Sequence, residues 1–277
     1  MDILTIAGLG KAFGSQSVLD DLSFSVPEGS IYGFIGKNGS GKTTTMKIVL
    51  GLLPADAGEI SVCGEKVHYG DTRTNRFIGY LPDVPEFYGF MTAKEYLRLC
   101  GDVTCMPSAL IQTKSEELLE LVGLADVKKR IATFSRGMKQ RLGIAQALLN
   151  EPRLLICDEP TSALDTAMRK SLARIIKEEK ARGAAILLIT HDPEFAALCA
   201  DDILVLSDGS ASLSAPAEEV LKDRKIAHMA SFRLPVLCEL ALCLGIEPDI
   251  NKSAEELAFA FCDSKERVTP DDKKSNS

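Results

Sequence analysis

Residues 36–43, Gly-Lys-Asn-Gly-Ser-Gly-Lys-Thr, match the pattern GxxxxGK[ST] in full. They follow a strand-like run at 30–35 and precede a helix-like run from about Lys42, which is the setting that the chemistry requires. Glycines there let backbone amides turn inward and cradle a polyphosphate at a helix N-terminus. The candidate nucleotide-binding residues are Gly36, Asn38, Gly39, Ser40, Gly41, Lys42, Thr43 and Thr44. Lys42 would reach the β- and γ-phosphates, and the Thr43 hydroxyl would ligate Mg²⁺. The loop predicts a protein that binds a nucleotide.

A second motif is acidic. Leu154-Leu-Ile-Cys-Asp158-Glu159 is an apolar strand ending in two carboxylates, and open α/β sheets bind ligands at that end of their strands. Asp158 suits the Mg²⁺ shell, directly or through water, and Glu159 can orient and deprotonate an attacking water. His191 follows another apolar strand and so ends at the same edge. His68 and His228 have no such setting and read as surface residues.

These groups need a sheet to hold them. Alternation predicts strands over 22–26 and 30–35 around the turn Pro27-Glu-Gly29, a helix from about Lys42 that Gly51 ends, and strands over 59–63 and 77–80. From about Asp83 to Asn150 the character is helical. Thr92-Ala-Lys-Glu95 fits a capping box, with helices over 96–100, 109–122 and 138–149. Strands then return at 154–158, 184–190 and 203–206, separated by helices over 167–181 and 193–200. Strands divided by helices imply an α/β fold with a mostly parallel sheet covered on both faces, and a helical subdomain inserted at about 83–150. Beyond about Pro216 the pattern is helical again, over 235–244 and, after a second capping box at Ser253-Ala-Glu-Glu256, over 257–261. The last dozen residues, ending at Ser277, read as disordered.

Composition bounds the function. The 277 residues carry 32 basic and 39 acidic side chains, a net charge of −7, which argues against the clustered cations of a nucleic-acid surface. Apolar runs such as 184–189 fall far short of the ~20 residues that span a bilayer. Met1-Asp2-Ile3-Leu4 has no basic region before an apolar stretch, so no signal peptide is expected. The 8 cysteines are scattered without a CxxC pair. They read as free thiols, with Cys157 and Cys199 as small core hydrophobes.

Two further motifs join the set: Phe134-Ser135-Arg136-Gly137-Met138, ahead of a helix containing Lys139-Gln140-Arg141, and Ser162-Ala163-Leu164-Asp165. In this order the motifs resemble the nucleotide-binding subunit of an ATP-binding cassette (ABC) transporter, over about residues 1–220. The resemblance implies a P-loop NTPase core, an N-terminal antiparallel β subdomain and the helical insertion; beyond it, the pattern reads as a helical C-terminal extension over 221–264 and a tail over 265–277. It puts Phe13 where an aromatic stacks on adenine. Ser135 and Gly137 match the signature that completes the ATP site of an opposite subunit, Asp165 the loop that communicates across the dimer, and His191 the switch histidine at the γ-phosphate. Lys42, Glu159 and His191 are then the catalytic set, and Thr43, Asp83 and Asp158 the Mg²⁺ set.

The implied protein is an ATPase motor that closes as a homodimer, or with a related subunit, around two ATP–Mg²⁺. It would drive a separate transmembrane permease from the cytoplasmic face of the membrane, with Tyr88 and Phe90 on the docking surface. The pattern departs from the family at Arg136 and Met138, where Gly and Gln are usual. This variant resembles the ABC-2 exporters, including antibiotic and lantibiotic efflux pumps. It departs also at Asp83, where many relatives place Gln, and at Thr166, where Pro is frequent. The rival readings are a non-transport ABC ATPase, a regulatory module that binds ATP without hydrolysis, and a P-loop kinase, which would need neither Ser135-Arg136-Gly137 nor Glu159.

Overall fold

The computed structural model describes residues 1–258 and 260. The predicted helix over 257–261 lies partly outside the described residues, and the tail over 265–277 wholly so.

Two sheets form the frame. Strands β1 (Asp2–Phe13) and β2 (Gln16–Pro27) make a long antiparallel hairpin, and β1 pairs on its other side with β4 (Ala57–Val62), which carries the short β5 (Glu65–Lys66). The second sheet has the order β10-β9-β3-β8-β7-β6. Its members are β3 (Ile31–Gly36), β6 (Ile78–Leu81), β7 (Leu154–Asp158), β8 (Ala185–Ile189), β9 (Asp202–Ser207) and β10 (Ser210–Pro216). All neighbours are parallel except β10 on β9. The phosphate-loop strand β3 lies between β8 and β9, so the loops leaving β3, β7 and β8 open at one carboxyl edge.

Strand alternation builds two cores at once. Leu154 and Ile156 of β7, with Ala185, Leu187 and Ile189 of β8, face the antiparallel sheet and helix α1 (Lys42–Val49). Leu155 and Cys157, with Ile186 and Leu188, face the helices on the other side. Those helices are α2 (Ala93–Val103), α3 (Ser108–Leu121), α4 (Arg136–Leu148), α5 (Thr166–Ala181) and α6 (Pro193–Cys199). Cys157 and Cys199 are both buried there, as small apolar side chains. The capping box at Thr92 opens α2: the Thr92 amide donates to Glu95 Oε2 at 2.8 Å, and the Glu95 amide to Thr92 Oγ1 at 3.3 Å.

Strand β1 was invisible to alternation because its register shifts between Ile6 and Leu9 and again before Lys11, which breaks the period of two. Helix α4 begins at Arg136, two residues before the expected 138, because the Ser135 hydroxyl accepts from the Met138 amide at 3.2 Å and caps the helix. The region beyond Pro216 folds back on the sheet through α7 (Ala217–Val220), α8 (Arg224–Ala230) and α9 (Val236–Cys243). Ala217, Val220 and Leu221 pack on Ile203 and Val205 of β9. The Val236 amide donates to Glu194 Oε1 at 2.6 Å, tying α9 to α6. A second capping box at Ser253 and Glu256 opens helical residues 254–258.

The helical subdomain is held to the sheet by a close approach. A Cβ on Gly79 of β6 would collide with the carbonyl oxygen of Ala147 in α4 and come within 2.8 Å of Pro152 Cγ. Neither neighbour is the free end of a flexible side chain. Gly79→Ala should therefore cost about 2 kcal/mol through overpacking and lower Tm by about 4–8 °C in scanning calorimetry. An unchanged Tm would mean that β6 and α4 separate freely.

Candidate active site

The phosphate loop is shaped by contacts that exclude larger residues. A Cβ on Gly36 would strike the Leu206 carbonyl and lie 2.7 Å from Ser40 Oγ, and Gly41 has φ = 108°. The loop amides thus turn into a helix N-terminus that no side chain caps and no acid occupies. Such an end favours an anion through its free N–H groups and the positive end of the macrodipole. Ser40 Oγ is buried without a hydrogen-bond partner, beside the exposed Thr43. Lys42 Nζ donates to the carbonyls of Gly36 at 2.6 Å and Lys37 at 2.9 Å, which folds the ammonium back over the loop. Burial pushes the Lys42 ammonium below its ordinary value, opposed by the negative charges of Glu159 and Asp158.

Carboxylates gather on the other side of this cation. Burial pushes Asp158 up to about 6, and the charges of Glu159 and Asp83 add to the effect while Lys42 opposes it. Three acids around one desolvated position make a site short of positive charge. Among the described residues no group of three or more His, Cys, Asp or Glu is arranged to hold a metal by itself. The Thr43 hydroxyl and the Asp158 carboxylate are hard oxygen donors, too few for a cage but suited to Mg²⁺ that takes its other ligands from water and phosphate.

Glu159 adopts a left-handed backbone, φ = 47°, a conformation costing a non-glycine residue about 1–2 kcal/mol. Its amide donates to the Ile189 carbonyl at 2.8 Å, so the turn is pinned to the end of β8. That turn brings Glu159 Oε2 to 2.7 Å from His191 Nδ1 and 3.2 Å from the His191 amide. The histidine ring is otherwise open to solvent, its side chain 84% exposed against 19% for Glu159.

The other predicted residues stand apart. Phe13 ends β1 and is half exposed, with Lys11 Nζ 5.5 Å from its ring centroid. Lys11 is nearly buried and paired with Asp56 at 2.8 Å. Asp56 also accepts from the Ala12 amide at 2.8 Å, fixing the end of the strand. Ser135 and Gly137 lie at the start of α4, packed on the loop before α5: a Cβ on Gly137 would come within 3.0 Å of the Ala163 carbonyl. Among the described residues no hydrogen bond or ion pair joins them to the phosphate loop. Asp165 caps α5, accepting from the Met168 amide at 2.8 Å.

Sequence reading missed Arg169 and Asp192. Asp192 caps α6 and pairs with Arg169 of α5 at 2.8 Å, tying the residue after His191 to the helix that Asp165 opens. The signal available was Asp192-Pro193, a cap followed by proline at the first helical position.

A phosphate-cradling loop after the central strand, with acidic and histidine strand ends beside it, defines a P-loop nucleotide-binding protein of the α/β class. Comparison with known proteins narrows this. The ABC transporter family pattern matches residues 19–162. An uncharacterized ABC transporter ATP-binding protein of Bacillus subtilis, YxlF, is 38% identical over 80% of this chain and 74% of its own length. The bacitracin transport ATP-binding protein BcrA of Bacillus licheniformis is 37% identical over 79% and 72%. A solved ATP-binding subunit of an ABC transporter superposes with a TM-score of 0.75 at 30% identity, over 94% of this chain and 99% of that one. The chain belongs to the ABC transporter family, as an ATP-binding subunit, and the family activity is ATP hydrolysis.

The charge crowding at Asp158 has a measurable consequence without nucleotide. Because its carboxyl is raised above the ordinary 3.8, the fold favours the protonated form. That contribution is complete below about pH 4 and is lost as pH rises through about 6. Asp158→Asn should therefore be more stable than the parent at neutral pH by about 1 kcal/mol, after allowance for solvent screening of a partly exposed group. The difference should vanish near pH 4 in paired thermal melts. An equal Tm at neutral pH would show that the acids do not crowd one another.

Proposed function

We propose that this chain is one of two ATPase subunits that close on two ATP–Mg²⁺ and drive a separate transmembrane permease, acting as an exporter. One observation carries the reading. The phosphate loop, the Asp158–Glu159 turn and His191 share a single sheet edge, while among the described residues no hydrogen bond or ion pair joins Ser135 or Gly137 to that edge. A second subunit, turned to face the first, supplies the missing half.

In this reading the amides from Gly36 to Thr44 and the Lys42 ammonium hold the β- and γ-phosphates, Lys42 leaving its loop carbonyls to do so. The Phe13 ring stacks on adenine, with the Lys11–Asp56 pair fixing the strand end beneath it. Thr43 and Asp158 would hold Mg²⁺, with Asp83 alongside; a bound ion would supply positive charge against the acids and the phosphoryl oxygens. Glu159 takes a proton from the attacking water. His191, anchored to Glu159 through Nδ1, keeps its other ring nitrogen for the γ-phosphate. The start of α4 in the partner subunit, with Ser135 and Gly137, presents amides and a positive dipole end to the same phosphate.

No helix among the described residues is long and apolar enough to cross a membrane, and in this reading the membrane passage belongs to the permease. Tyr88 and Phe90 support a docking surface on the loop before α2, at 57% and 63% exposure. That loop is stiffened by Arg130, which donates to the Phe90 carbonyl, and by Phe87, packed edge-on against Tyr96 at 5.0 Å. The subunit then sits on the cytoplasmic face of the membrane. Export is supported by relatives named for bacitracin transport and Nod factor export.

Glu159→Gln should slow turnover by at least about 100-fold and trap an ATP-dependent dimer on size-exclusion chromatography. A monomer at every ATP concentration would overturn the two-subunit reading. Lys42→Ala should remove ATP binding in equilibrium dialysis, and full binding by that variant would dismiss the phosphate-loop assignment.

A further inference from the structure

Arg136 and Asp83 stand on different elements, and the fold brings them together. Arg136 occupies the first position of α4, where the positive end of a helix disfavours a cation by about 0.3–1 kcal/mol. No acid in the first turn of α4 offsets it. Its guanidinium Nη2 donates instead to Ser162 Oγ at 2.8 Å and lies 3.8 Å from Asp83 Oδ1. One planar fork thus joins three loops: that after β6, which carries Tyr88 and Phe90; the start of α4, with Ser135 and Gly137; and that after β7, which leads to Asp165. Two of these are held independently, since the Gly137 backbone abuts the Ala163 carbonyl and Gln140 Nε2 donates to the Pro160 carbonyl at 3.4 Å. For Asp83 the Arg136 contact is the sole ion pair among the described residues.

We propose that Arg136 is a positioning residue that makes the three loops move as one body, its partner Asp83 serving as the tie from the permease-facing loop to the subunit-facing loops. The inference rests on the proposed function for what those loops face, and on geometry alone for the tie.

The test is a double-mutant cycle with Asp83→Gln, Arg136→Gln and both together, with Arg136→Lys as the conservative control. In the full chain without nucleotide, hydrogen exchange should quicken about threefold to fivefold over both 82–91 and 160–165 in Arg136→Gln, the range set by a partly exposed ion pair. Asp83→Gln should affect 82–91 alone, and Arg136→Lys should restore most of the protection at 82–91. In ATP hydrolysis the single variants should lose kcat with KM for ATP little changed. The double variant should lose about threefold to fivefold less than the product of the two. Unchanged exchange at either loop in Arg136→Gln, or strictly multiplicative losses in kcat, would overturn the tie. A parent chain that fails to hydrolyse ATP would overturn the proposed function instead, and the exchange measurement would still decide the tie.

Discussion

Like charges forced together at the edge of a sheet govern much of this structure. Asp158 and Glu159 are adjacent in sequence, Asp83 approaches from the loop after β6, and burial at Asp158 removes the water that would screen its charge. One ammonium, that of Lys42, stands against Asp158 and Glu159, itself disfavoured by burial. Such a site is electrostatically incomplete, and positive charge that enters it is stabilised. The surrounding architecture keeps the acids from relaxing apart. The left-handed turn at Glu159 is pinned to β8, and the phosphate loop is too tight at Gly36 to open.

The same constraint explains why neighbouring side chains have partners that appear redundant. His191 is held at both ring and backbone by one carboxylate oxygen of Glu159, and Asp192 is locked to Arg169. Each bond removes a rotamer from a residue at the candidate site. Preorganisation of this kind lets charge be met by groups already in place. The long loops of the helical subdomain are treated likewise, with Arg130 and the Phe87–Tyr96 contact leaving Tyr88 and Phe90 exposed on a stiff support.

Much of this was legible in the sequence, for identifiable reasons. The phosphate loop announces itself because its chemistry needs glycine at fixed spacing, and Asp158 and Glu159 because an apolar strand ended in acids. The parallel sheet followed from strands 154–158 and 184–190, whose continuous apolar runs reflect burial on both faces. Alternation failed at β1, where bulges shift the register, and at β10, where Ser, Ala and Pro give no apolar signal. The start of α4 was misread because Arg136 and Gly137 resemble a loop, until the Ser135 cap is recognised. Arg169 and Asp192 lay 23 residues apart, beyond any local pattern.

Strands β7 and β8 hold an additional consequence. Each contributes alternate side chains to two different cores and leads into a candidate site residue, so its register is specified twice over. A single inserted or deleted residue in either strand would exchange the two sets of side chains between cores and turn Asp158 or His191 away from the edge. Length variation is therefore excluded from these ten positions, Leu154–Asp158 and Ala185–Ile189. It can accumulate in the connections that bear on neither core. In such a frame the chemistry is protected by the indivisibility of the strands that carry it.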